Sequence, residues 1–247
     1  MDEPFLGVLL TYPVRTDADK PVRKILMPPD TSRPAADIKL GVLGAGNYAQ
    51  AVFLPVIRKT GGAELAGIAT ASGMSAQQAA RKFGFGFAAT SEEEILTSPE
   101  INTVVILTRH QHHTRQVLKA LRNKKAVYCE KPLALNQAEL DEIEAELSSA
   151  DTPLLTVGYN RRFAPMAQQL AEFLKARSEP LFVQYRVNAG ALPMTHWLHD
   201  PLQGGGRIIG EGCHFIDFLT FLVGDTPISV SAAALPDNEK FRQDNVQ

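Results

Sequence analysis

From Ile38 onward the chain shows two alternating kinds of apolar patterning. Short apolar runs bounded by glycine or polar residues read as buried strands, and stretches with apolar residues three and four apart read as amphipathic helices. Leu40-Gly41-Val42-Leu43 predicts a strand, followed by a glycine-rich turn and a helix through residue 59. Residues 64–69 predict a second strand, and 75–83 a helix with Ala79, Ala80 and Phe83 at helical spacing. A third strand is expected over 101–107, a helix over 113–123 and a fourth strand over 126–129. Residues 136–149 form an amphipathic helix with Leu140, Ile143 and Leu147 on one face, and 154–159 another strand. Strands alternating with helices in this way mean βαβ units, hence a parallel sheet with right-handed crossovers.

The flanks read differently. Residues 5–11 are a short strand-like run closed by Tyr12-Pro13, and polar sequence with Pro21, Pro28, Pro29 and Pro34 then runs to Asp37. Proline removes amide donors and fixes φ, so 1–37 is expected to be an N-terminal strand and a linker. After residue 158 a helix is expected over 166–176, an alternating strand over 181–188, a hydrophobic helix over 215–223 and a strand over 228–234.

Composition narrows the function classes. Of 247 residues, 45% are hydrophobic and 21% charged, which is ordinary globular usage and excludes disorder, collagen-like repeats and a simple coiled coil. Twenty-five Lys and Arg against 27 Asp and Glu leave a net charge of −2, so nothing favours a nucleic-acid or other polyanionic partner. Two cysteines, Cys129 and Cys213, make neither a disulfide framework nor a four-cysteine zinc site. Both sit in apolar runs as small packed residues, so a reduced compartment is expected. No stretch reaches the roughly 18 apolar residues of a membrane span. Met-Asp-Glu-Pro at the start is no signal peptide, so a soluble cytoplasmic protein without membrane partners is expected.

Gly44-Ala45-Gly46-Asn47-Tyr48-Ala49 has G-x-G-x-x-A spacing after a strand and before a helix. Gly44 permits a tight turn, Gly46 lets a pyrophosphate approach the backbone, and Ala49 lets the helix pack on the strand. The helix N-terminus offers free N–H groups to phosphate. The usual acid at the end of the second strand is missing, since Ile68-Ala69-Thr70-Ala71-Ser72 holds no carboxylate. Thr70 and Ser72 remain as hydroxyl donors, nothing repels a 2′-phosphate, and Arg81 and Lys82 stand too far along to clamp one. NAD or NADP is therefore the expected cofactor.

Further motifs follow in order. Thr108-Arg109 closes the third strand, with His113 beyond it; Glu130-Lys131-Pro132 closes the fourth. Then come Gly158-Tyr159-Asn160-Arg161-Arg162-Phe163, Gly204-Gly205-Gly206 and Gly212-Cys213-His214-Phe215-Ile216-Asp217. Over about residues 38–235 this combination resembles the Gfo/Idh/MocA oxidoreductase family. The 204–217 stretch is most similar to the C-terminal half of bi-domain oxidoreductases, in which a zinc-alcohol-dehydrogenase-like domain precedes. The resemblance implies an α/β fold: a doubly wound Rossmann sheet over 38–157, then a partial α+β substrate and oligomerisation domain over 158–247 with an open, mainly antiparallel sheet. It also implies a covalently fused N-terminal domain, an early stop in the second domain and homo-oligomers through the open sheet at full length.

The implied activity is hydride transfer between NAD(P) and a hydroxyl of a sugar, cyclitol or nucleotide-sugar. The resemblance makes Lys131 the cation beside the substrate oxygen and His214 the acid/base, with Asp217 one turn later contacting substrate or orienting His214. It places Asn47, Tyr48, Thr108, Arg109, His113, Glu130 and Lys131 around the cofactor, and Tyr159, Arg161, Arg162, Trp197, Arg207 and Glu211 around the substrate. Arg161 and Arg162 alternatively form surface ion pairs, and Trp197 and His199 either wall a sugar ring or close a loop. The acid often found four residues before the histidine is Gly210 here, with Glu211 as a partial substitute. His110, His112 and His113 lack the Cys or carboxylate that would complete a metal site, so no metal is expected. Two other classes compete: an NAD-dependent glycosidase working by transient oxidation and elimination, and a cofactor-binding fragment without turnover.

Overall fold

The computed structural model describes residues 23–28, 37–234 and 236. The expected strand at 5–11 and most of the expected linker lie outside them. Seven strands form one sheet in the order β1-β4-β3-β2-β5-β6-β7. They are β1 (Lys24–Leu26), β2 (Ile38–Leu43), β3 (Ala63–Ala69), β4 (Phe87–Ala89), β5 (Thr103–Ile106), β6 (Ala126–Cys129) and β7 (Leu155–Val157). All neighbours run parallel except β1, which is antiparallel to β4.

Two apolar layers cover the sheet. Leu40 and Val42 of β2 pack with Ala76, Ala79, Ala80 and Phe83 of α2 (Gly73–Phe83) in one layer. Leu43, one residue on, joins Val117, Leu118 and Leu121 of α4 (His113–Arg122) and Ile143 of α5 (Gln137–Leu147) in the other. Successive strand side chains point to opposite faces, so a parallel sheet buried on both faces needs near-continuous apolar runs. The remaining helices are α1 (Leu54–Thr60), entered through a π-helical turn at Ala49–Phe53, α3 (Glu93–Leu96), α6 (Pro165–Lys175) and α7 (Cys213–Val223). Among the described residues no helix is long and apolar enough to cross a membrane.

Three expectations change. Lys24–Leu26 lies inside the expected linker yet pairs with β4 at the sheet edge. Its flanking prolines, Pro21 and Pro28, fall outside the three paired residues, and an edge strand needs donors on one side only. Phe87–Ala89 and Glu93–Leu96, unforeseen because each is so short, complete the sheet's β3 side. Residues 181–188 and 228–234 are not strands; among the described residues nothing pairs with them, and a strand exists only by its ladder. The described residues after 158 thus hold helices and extended segments, without a second sheet.

Candidate active site

The strand order reverses between β2 and β5, and open α/β sheets bind ligands at the carboxyl ends of such a pair. The glycine loop leaves β2 there. Gly44 has φ +97°, and a Cβ on it would stand 2.6 Å from the carbonyl oxygen of Leu107. Its N–H donates to Ala69 O at 2.9 Å, tying the loop to the end of β3. Gly46 faces open space, with nothing within 4 Å of its would-be Cβ. The helical turn that follows carries no side-chain cap at its start. Free N–H groups beside a bare backbone make a cradle for a pyrophosphate, so the residues fit a dinucleotide. A trough of about 600 Å³ runs from Gly44 along Ala69, Thr70 and Ala71 to Thr108 and Gln116. Thr108 Oγ1 donates to Gln116 Oε1 at 2.7 Å, and Thr70 Oγ1 to Ser72 O at 2.5 Å.

Beyond the glycines, Ala49 is buried and Tyr48, itself exposed, lies against Phe53. Tyr48 also faces Glu130 and Asn160, and burial, with the Glu130 charge, raises its hydroxyl pKa. Tyr128 donates to Glu130 Oε1 at 2.9 Å, and burial pushes the Glu130 carboxyl up. Tyr128 is a partner that sequence reasoning missed, for it reads as one more apolar strand residue.

Glu130-Lys131-Pro132 leaves the carboxyl end of β6, and the loop is anchored from behind. Asn136 caps α5 by accepting from the Glu139 N–H at 3.0 Å, while Glu139 accepts from the Leu135 N–H at 2.8 Å. His113 is fully buried; its Nδ1 lies 2.7 Å from Pro132 O and its Nε2 3.1 Å from Thr108 O. It therefore stitches the two strand ends together, with both ring nitrogens facing backbone carbonyls. Burial holds its pKa down.

Lys131 Nζ donates to Gly210 O at 2.7 Å, in a π-helical turn at Ile208–Gly212 that leads into α7. His214, on the first turn of α7, sits in reach of the same charge. Burial, then the charges of Lys131 and Arg161, lower its pKa to about 4. Its Nδ1 is buried without a partner among the described residues, and Tyr159 packs edge-on to its ring at 6.3 Å. Burial, ahead of the Cys213 and Asp217 charges, pushes the Tyr159 hydroxyl up to about 12.

The other expected residues are engaged elsewhere. Asp217 forms a two-pronged ion pair with Arg162, whose Nε stands 3.1 Å from Oδ2, and its charge reaches His214, raising that pKa against burial. Glu211 accepts from Arg207 Nε at 2.6 Å, and Arg207, 7% exposed, also donates to Gly190 O. The expected substrate groups Glu211 and Arg207 thus take each other as partners. The Arg161 guanidinium lies over the Phe215 ring at 4.8 Å. Arg109 lies over Trp197 at 5.0 Å, and Trp197 meets His110 edge-on at 4.8 Å. His110, whose Nδ1 is 2.9 Å from Gly204 O, was not among the expected site residues. Burial lowers its pKa to about 4. Among the described residues no group of three His, Cys, Asp or Glu is placed to hold a metal ion.

Two family models match: "Oxidoreductase family, NAD-binding Rossmann fold" (GFO_IDH_MocA) over residues 38–159, and "Oxidoreductase family, C-terminal alpha/beta domain" (GFO_IDH_MocA_C) over 169–247. The chain is 30% identical over 195 residues to 1,5-anhydro-D-fructose reductase of Ensifer adhaerens, covering 78% of this chain and 58% of that protein. It is 25% identical over 206 residues to myo-inositol 2-dehydrogenase of Thermotoga maritima, covering 82% and 60%. Levoglucosan dehydrogenase in complex with NADH superposes with a TM-score of 0.67 at 24% identity, over 76% of this chain and 54% of that one, a likeness of fold. The chain thus spans about half the length of the relatives it matches.

Proposed function

The chain belongs to the Gfo/Idh/MocA oxidoreductase family, and we propose that it carries the cofactor cradle and reaction centre of an NAD(P)-dependent dehydrogenase acting on a ring hydroxyl of a sugar or cyclitol. The observation that carries this reading is Lys131, bonded to Gly210 O in the turn before α7, lying near enough to His214 for its charge to lower that imidazole's pKa. Gly44, Gly46, Thr70 and Thr108 would hold a dinucleotide, whose nicotinamide would supply the hydride acceptor. Lys131, a fixed cation, stabilises negative charge growing on the substrate oxygen. His214 is neutral at pH 7 and takes that oxygen's proton. The repulsion from Lys131 and Arg161 that lowers its pKa also speeds release of the proton to solvent. Tyr159, edge-on to the His214 ring, and Arg161, whose charge reaches it, are the side chains proposed to face substrate.

In this reading 38–157 is the dinucleotide unit and 158–247 the substrate unit. The names of the anhydrofructose reductase and inositol dehydrogenase relatives support a polyhydroxylated ring as substrate. The reading extends to a preceding zinc-dehydrogenase-like domain, supported by the 204–217 motif, and to self-association, supported by exposed Phe163, Phe173 and Phe182. Free Cys129 and Cys213 support a cytoplasmic setting. The test is steady-state reduction of NAD or NADP with a panel of sugars and cyclitols. Net cofactor reduction supports the proposal; sugar release without it, or no turnover on any ring alcohol, overturns it.

A further inference from the structure

The edge strand β1 brings an arginine into the cofactor trough from outside the family's matched region, which begins at residue 38. The register shows how. Ala69 of β3 pairs with Ala89 of β4, and Ala89 pairs with Lys24 of β1. Because β1 runs antiparallel, the residue before Lys24 comes level with the residue after Ala89. Arg23, Thr90 and Thr70 therefore form one row across the carboxyl edge of the sheet. Two backbone bonds hold the row: the Thr70 N–H donates to Ala89 O at 3.2 Å and the Thr90 N–H to Arg23 O at 2.9 Å. Arg23, Thr70, Ala71 and Thr90 line the same trough as Gly44.

The charges on this wall favour an anion. The end of β3 carries no carboxylate. Glu92, also on the wall, is taken up by Arg115 and by Gln116, whose Nε2 donates to it at 2.8 Å. Arg23 has no ion-pair partner among the described residues. An adenosine ribose lies against the residues after the second strand of such a sheet, where an acid selects NAD and an arginine accommodates a 2′-phosphate. Guanidinium binds phosphate through paired charge-assisted hydrogen bonds.

We infer that Arg23, supplied by the antiparallel edge strand, is a specificity-determining residue that binds the 2′-phosphate and makes this chain prefer NADP to NAD. This rests on the trough being the dinucleotide site. The test is calorimetric titration of the 247-residue chain with NADPH, NADH and adenosine 2′,5′-bisphosphate, for wild type, Arg23→Gln and Arg23→Lys. Wild type binds NADPH more tightly than NADH. Arg23→Gln weakens NADPH and the bisphosphate by about tenfold or more, as loss of one charge-assisted contact implies, leaves NADH unchanged, and Arg23→Lys retains part of the affinity. Unchanged NADPH affinity in Arg23→Gln overturns the inference, and so does an equal loss for NADPH and NADH. A wild type that binds NADH in preference to NADPH overturns it alone. A wild type that binds no nucleotide overturns the dinucleotide reading along with it.

Discussion

The Lys131 ammonium is held by the backbone carbonyl of Gly210, 2.7 Å away. A Cβ at 210 would stand 2.5 Å from Cδ1 of buried Leu198 and 3.2 Å from Cε1 of His110. A side chain at 210 would therefore require the Leu198 side chain to shift. The lysine takes a carbonyl as its partner, which fixes the ammonium without neutralising it.

The clearest consequence is for turnover. Lys131→Met and His214→Ala should each lower the kcat of the proposed dehydrogenase reaction by roughly 10²–10⁴. Nucleotide affinity, made mostly by the glycine loop, should change little. The double variant should lose less than the product of the single losses, since the two act on one oxygen. Wild-type turnover in His214→Ala would move the base elsewhere.

His110 and His214 both have pKa values lowered to about 4 from an ordinary 6.5. A folded-state value below the unfolded one means the unfolded chain binds more protons between them. The stability these groups contribute is whole above about pH 6.5 and is lost as pH falls towards 4. The urea midpoint should drop across that window, and His110→Gln should flatten the drop. Likewise kcat should show no acid limb at 6.5, only one near 4, if His214 is the base.

Two glycines should separate fold from binding. Gly44→Ala places a side chain at φ +97° against the Leu107 carbonyl and should destabilise by about 1–3 kcal/mol. Gly46→Val meets only open space, so its melting point should hold while nucleotide binding vanishes. Unchanged affinity in Gly46→Val would remove the dinucleotide assignment from this loop.

The Arg162–Asp217 pair should prove structural. Asp217 is 10% and Arg162 34% exposed, so Arg162→Met strands a mostly buried carboxylate and should cost about 1–3 kcal/mol, less than a fully buried pair. Asp217→Asn should lower kcat far less than His214→Ala. A comparable loss would return Asp217 to the proton path.

Much of the Rossmann half was legible along the chain because its signals are local. A run such as Leu40 to Leu43 must be buried on both faces, and Gly44 and Gly46 at that spacing answer a turn that few other residues tolerate. Lys131 and His214 stood out in the sequence as parts of motifs. Which side chains are already engaged was not legible, because that depends on partners far apart in sequence. Arg162 finds Asp217 fifty-five positions on, and Lys131 finds Gly210 seventy-nine on. Short elements such as Phe87–Ala89 carry too few residues for a period to show. Without that strand, nothing along the chain places Lys24–Leu26 at the sheet edge. Only strand pairing decided that Arg23 faces the trough, because an antiparallel partner delivers its first residue to the edge where parallel strands deliver their last.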